Sequence, residues 1–316
     1  METRGRLAGG TSGRTSSTAK ATLRSARPRR AIGLGPSERS GSSNTSRSAG
    51  PRMEGERPNG WPALERGSGT TIVFLHGYPL DHSMWLSQMG RLSDSHRVVL
   101  LDLPGYGLAG AWPVADTLEG FADSVHRTMH RHLPAPAVVV GHSFGGYIAL
   151  QLYQRHPELF QALVLTDTRS AADTPDAREQ RLATVARLDE PGESLDVEET
   201  IGHLVTPATL EADGPVVEHL RDMIRAAPPR TVRNSLKAIA DRPDLTPVLP
   251  TIQVPSLVIW GEEDRLIPPR QTISMVAAIR GCAGVGIPAA AHLPSMEAPE
   301  AFASVLRNFT DRLPAT

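Results

Sequence analysis

The chain has 316 residues, 40% hydrophobic and 21% charged, with a net charge of −1, an ordinary globular composition that could bury a sizeable core. Near-neutral charge and aromatics at only 4% argue against the basic surfaces and stacking platforms of nucleic-acid binders. No apolar run approaches the ~18–20 residues of a membrane span, and the single cysteine, Cys282, excludes an internal disulfide and a cysteine-based zinc site.

These features lead us to expect a cytoplasmic setting, with Cys282 a passive filler. Residues 1–52 are crowded with Ser, Gly, Thr and Arg and nearly free of acids. Such a stretch buries too little apolar surface to offset its ordering entropy, so residues 1–55 are expected to be a disordered extension. It lacks the apolar core of a secretory signal. Its composition resembles an organelle transit peptide, and a start at Met53 is the simpler alternative. One α/β domain is expected over residues 56–316.

The first short apolar run beyond the extension is Thr70–Leu75, halted by His76-Gly77-Tyr78-Pro79. Ser83 to Leu92 can form a short helix, and Arg97–Leu101 is a second strand candidate, closed by Asp102-Leu103-Pro104-Gly105-Tyr106-Gly107. Leu118, Phe121, Val125 and Met129 mark a helix over Leu118–His132. Val138-Val139-Val140 then runs into Gly141-His142-Ser143-Phe144-Gly145, with a helix-compatible segment directly after, and a further strand follows at Ala162–Leu165. Continuous apolar strands alternating with helices predict a mostly parallel central sheet flanked by helices, the α/β class.

From about 169 to 250 the pattern turns helical and polar-rich. Segments at 182–188, 197–205, 216–224 and 232–239 are candidate amphipathic helices. An insertion of this kind is expected to cover the crevice at the strand C-termini as a cap. The sheet resumes at Ser256–Trp260, and a final helix follows His292.

Strand, tight turn and helix around G-x-S-x-G would lift Ser143 above the end of a buried strand, where small residues permit the sharp turn. A serine hydroxyl needs a base to take its proton, and the base needs an orienting partner. Downstream, Gly261-Glu262-Glu263-Asp264 puts acids at a strand C-terminus, and Ala291-His292-Leu293-Pro294 offers a histidine. The order Ser143, Asp264, His292 is nucleophile, acid, base.

Over residues 70–311 these motifs, with Glu297 and Pro299 after His292, closely resemble the α/β-hydrolase superfamily. The likeness is greatest to small capped esterases and lactonases of the 3-oxoadipate enol-lactonase type. His156-Pro157-Glu158 and Leu165-Thr166-Asp167-Thr168 add to it more weakly. The resemblance implies Ser143 as nucleophile, His292 as base and then acid, and Asp264 as the residue fixing the imidazole. It also implies an oxyanion hole made by the backbone N–H groups of Tyr78 and Phe144. Asp167 rivals Asp264, since some relatives carry the acid after the preceding strand; Glu262 and Glu263 are weaker alternatives. Ala109 stands where relatives often have Ser, a departure outside the chemistry.

His76 and His142 are expected to be structural, one shaping the oxyanion loop and the other packed inside the elbow. The remaining histidines, His126 and His130 among them, are expected on a solvated face with no metal set. Arg169 is expected to be solvated, with contact to a substrate carboxylate as the alternative. No cofactor, metal, nucleic acid or membrane partner is implied, and the oligomeric state is open. The expected function is cleavage of a small carboxylic ester or lactone through an acyl-enzyme. The rivals are a cofactor-free perhydrolase (non-haem haloperoxidase) using the same residues, a ligand-binding receptor on the same fold, and C–C bond hydrolysis.

Overall fold

A computed structural model describes residues 61–133 and 136–314. The extension expected over residues 1–55 lies outside the described residues. In chain order the elements are β1 (Ala63–Arg66), β2 (Thr71–Leu75), α1 (Leu86–Leu92), β3 (Arg97–Leu101), α2 (Leu118–His132), β4 (Ala137–His142), α3 (Phe144–Arg155) and β5 (Phe160–Thr166). Five helices follow without a strand: α4 (Pro175–Arg187), α5 (Val197–Leu204), α6 (Pro207–Ala212), α7 (Pro215–Ala226) and α8 (Pro229–Ala240). The chain then returns to the sheet with β6 (Ser256–Gly261), α9 (Pro269–Ala278), β7 (Ala283–Ile287), α10 (Pro294–Glu297) and α11 (Pro299–Thr310).

The seven strands form one sheet in the order β1-β3-β2-β4-β5-β6-β7. β1 pairs antiparallel with β3, and every other neighbouring pair is parallel. Parallel strands need crossover connections, which α2, α3 and α9 supply. Successive strand residues point to opposite faces. Val73, Leu75, Val99, Val139, Leu163 and Val258 pack with α2 and α3 on one face. Ile72, Phe74, Val98, Val138, Val164 and Leu257 pack with α1 and α11 on the other. Burial of both faces is why these strands read as unbroken apolar runs rather than alternating ones.

Two strands departed from that pattern. β1 is only partly buried and pairs along one edge. β7 is Ala-Gly-Val-Gly-Ile, with its first two residues exposed, at the opposite edge. Its glycines reflect close neighbours: a Cβ on Gly284 would lie 2.8 Å from Val276.

The insertion is seated on the sheet domain by polar contacts. The Tyr106 hydroxyl donates to Ser235 Oγ at 2.9 Å, and the Arg242 guanidinium lies 4.3 Å over the ring of Tyr147, in the first turn of α3. Within the insertion, the covered side chain of Asp173 collects three arginines, Arg242 at 3.0 Å, Arg181 at 2.8 Å, and Arg169. Burial opposes ionisation of that carboxyl, but Arg181, Arg242 and Arg169 outweigh it and hold its pKa below the usual range. Removing one partner of a buried pair strands the other charge, at about 3–5 kcal/mol. Asp173→Asn is therefore expected to lower Tm by on the order of 10 °C in a thermal melt; a Tm within about 2 °C of the parent would contradict this account of the Asp173 cluster.

Candidate active site

Ser143 stands between β4 and α3 with φ 50° and ψ −112°, a conformation that costs a non-glycine residue about 1–3 kcal/mol and persists only where the surroundings enforce it. The Ser143 N–H donates to Thr166 O on β5 at 3.0 Å. A Cβ on Gly145 would sit 2.5 Å from Leu75 O, and one on Gly77 would lie 2.6 Å from His142 Cδ2 and 3.3 Å from Ser143 Cβ. Glycine at these two positions lets the end of β2 press against the turn. Tyr78 therefore sits in the loop beside Ser143. Phe144 is the first residue of α3, so its N–H is one of those a helix leaves without an internal acceptor.

His292 Nδ1 lies 2.8 Å from Asp264 Oδ2, and both side chains are about 1% exposed. The other carboxylate oxygen, Oδ1, accepts the N–H groups of Leu266 at 2.8 Å and Ile267 at 2.9 Å. With Oδ1 occupied by these two donors, Oδ2 is the oxygen left to accept from the ring, which places the proton on Nδ1 and leaves Nε2 bare. Among the described residues Nε2 is buried without a hydrogen-bond partner, the Ser143 hydroxyl included. The imidazole lies 4.8 Å, centroid to centroid, from the ring of His142, the residue preceding Ser143. Asp264 and His292 are thus joined, while the serine–imidazole bond is open; such bonds are commonly long before a substrate is bound.

Both rival acids from the sheet edge converge here. Asp167, at φ 44°, accepts the Gly261 N–H at 2.8 Å and the Thr166 hydroxyl at 2.6 Å. One ligating atom each from Asp167, Asp264 and His292 fall within 4.8 Å of one another, yet the imidazole bonds Asp264. Glu262 and Glu263 are exposed. A second group of this kind, Asp81, His82 and Asp102, has its carboxylates occupied by protein donors. Asp102 accepts the His82 N–H, His82 Nδ1 and the Leu108 N–H, at 2.7, 2.6 and 2.6 Å.

His76 is fully buried, Nδ1 on Gly77 O at 2.9 Å and Nε2 accepting the Leu103 N–H at 3.0 Å, so it shapes the loop ahead of Tyr78. Burial lowers its pKa, and burial with the nearby His292 and His76 rings lowers that of His142 still further. Both rings are neutral. Burial pushes the Cys282 thiol up to about 11, which suits a filler.

Two expectations are corrected. Arg169 is not a solvated side chain: it bonds Asp173, and it donates to Gln271 at 3.1 Å. The histidines near the end of α2 are not all on a solvated face. His126 stacks on His156 at 3.7 Å and His132 on Trp61 at 5.0 Å, because imidazole faces also serve as apolar surface; His130 is exposed.

A family model for the alpha/beta hydrolase fold matches residues 70–299. The chain belongs to the α/β-hydrolase fold family. Among its relatives, a pimeloyl-[acyl-carrier protein] methyl ester esterase of Neisseria meningitidis is 30% identical over 247 residues, 76% of this chain and 92% of that one. A thermophilic esterase from Thermogutta terrifontis superposes with a TM-score of 0.76 at 34% identity, over 80% of this chain and 93% of that one. The enol-lactonase of Burkholderia xenovorans gives 0.73 at 26% identity, over 79% and 96%. This α/β hydrolase is of the esterase and lactonase type.

Asp167 leaves a mark on the stability of this α/β hydrolase. Burial, with the Asp264 carboxylate beside it, pushes its pKa well above the usual range. The folded chain then holds that proton more tightly than the unfolded one, a contribution complete below pH ~3.9 and lost as pH rises above it. Asp167→Asn, which keeps the shape and never ionises, is expected to raise Tm over the parent at pH 7–8 and to change it little at pH 4. An equal difference at both ends of a pH series of melts would contradict an ionisation-linked cost.

Proposed function

We propose that the chain hydrolyses a small carboxylic ester, linear or cyclic, through an acyl-enzyme on Ser143. The observation that carries this reading is the 2.8 Å bond from His292 to Asp264, which leaves Nε2 bare at the strand edge that carries the strained Ser143. In this reading Nε2 takes the hydroxyl proton as Ser143 Oγ attacks the ester carbonyl. The resulting imidazolium is stabilised by the Asp264 carboxylate, whose orientation is fixed by the Leu266 and Ile267 N–H groups. The Tyr78 and Phe144 N–H groups receive the developing oxyanion, each worth roughly 3–4 kcal/mol in the transition state.

The imidazolium then gives its proton to the leaving alkoxide, which departs as the alcohol, or in a lactone stays tethered. Water, deprotonated by the same Nε2, attacks the acyl carbon, and the second collapse releases the carboxylic acid and restores Ser143. Helices α4–α8 act as the cap that shields these steps from bulk water. The ester bond is what the substrates named for the N. meningitidis esterase and the B. xenovorans lactonase have in common, and it is the bond this site is proposed to cut.

Ser143→Ala is expected to cut kcat by a factor on the order of 10⁴–10⁶ with KM little changed, measured over a panel of p-nitrophenyl esters and lactones. Undiminished turnover by that variant would end the proposal.

A further inference from the structure

We propose that Glu297 is a positioning residue that makes the placement of His292 depend on the seated cap. The inference rests on the reading of His292 as the base. His292 ends a loop that leaves β7 through Ala289, a non-glycine residue at φ 54°. An L-residue in that region is strained, so the loop must be held from outside.

It is held on two sides. From the Asp264 loop, the Glu262 N–H donates to Ile287 O at 3.0 Å and the Glu263 N–H to Ala290 O at 2.9 Å. On the other side the partners are Glu297 and the cap. The His292 N–H donates to Leu204 O, the last residue of α5, at 3.1 Å. The Ala291 N–H donates to Glu297 Oε2 at 2.7 Å. The second oxygen of that carboxylate, Oε1, accepts the Thr206 N–H and the Thr209 hydroxyl, both at 2.8 Å.

One carboxylate therefore ties the α5–α6 turn to the residue before the base. Leu204, Val205, Ala290 and Leu293 pack in one apolar cluster at this junction, but such packing is non-directional, and a cavity of about 410 Å³ opens beside it, lined in part by Thr206, Thr209, Val216, Glu263 and Ala289. The register falls to the hydrogen bonds, and those to a carboxylate are roughly twice as strong as neutral ones. A cap movement that lifts the α5–α6 turn withdraws the Leu204 and Thr206 contacts together and loosens His292; reseating restores both.

The test compares Glu297→Gln, which turns one acceptor into a donor at constant size, with Thr209→Val, which removes one cap-side bond only. Tm, kcat and KM for p-nitrophenyl acetate, and the rate of Ser143 labelling by a fluorophosphonate are measured. Misplacing a base by about 1 Å can cost 10²-fold. Glu297→Gln is accordingly expected to lose at least about tenfold in kcat with KM within about threefold, and to slow labelling by the same factor. Thr209→Val should lose about threefold in both rates.

A purely structural role would lower Tm or raise KM while leaving kcat and labelling at parental values, and that result overturns the inference. If Glu297→Gln fails to fold, Thr209→Val decides by the same criterion. A parental chain that is not labelled at Ser143 overturns the proposed function itself, and this inference with it.

Discussion

The site depends on one buried hydrogen bond, from the His292 imidazole to Asp264. Its strength comes from what holds each end. Asp264 has one oxygen on two backbone N–H groups, so only the other remains to choose the tautomer of the ring. His292 is pinned through its own N–H to Leu204 and through Ala291 to Glu297. A protonated Nδ1 follows, and with it an Nε2 that can only accept. An acceptor preset by the fold needs little reorganisation to take up a proton.

The sheet brings these groups within reach of each other. β4, β6 and β7 are parallel, so the residues that follow them emerge at the same edge, and the steep turn at Ser143 lies there too. Two carboxyls meet at that edge, and they are not equivalent. Asp167 faces burial and a neighbouring negative charge, which favours its neutral form. Asp264 has the backbone donors and the imidazole. The two carboxyls at this edge therefore differ in their partners, and the crowding falls on Asp167. The insertion joins this arrangement through the Leu204 carbonyl, Thr206 and Thr209, the contacts on which the proposed link between its seating and His292 rests.

Much of this was legible in the sequence because it is local. The Arg97–Leu101 strand and the Leu118–His132 helix have the bounds their apolar patterns indicate, since both signals arise within the element itself. β1 and β7 carried no such signal: they are edge strands whose pairing partners, rather than their own side chains, define them. The choice of Asp264 over Glu262 and Glu263 is one of burial, which only the folded loop decides. Arg169 reads as solvated in the sequence because its partner Asp173 looks like another surface acid, and only the fold gathers Arg181 and Arg242 around it. Glu297 stood out in the motif after His292, but its cap partners lie 91 and 88 residues away, and no spacing rule joins them.

The most direct test of the account is peptide mapping by mass spectrometry after fluorophosphonate treatment of the parent and of His292→Gln. The account predicts a single adduct on Ser143 in the parent and almost none, over the same interval, in the variant. An adduct on another residue, or equal labelling of Ser143 in the two proteins, would contradict it.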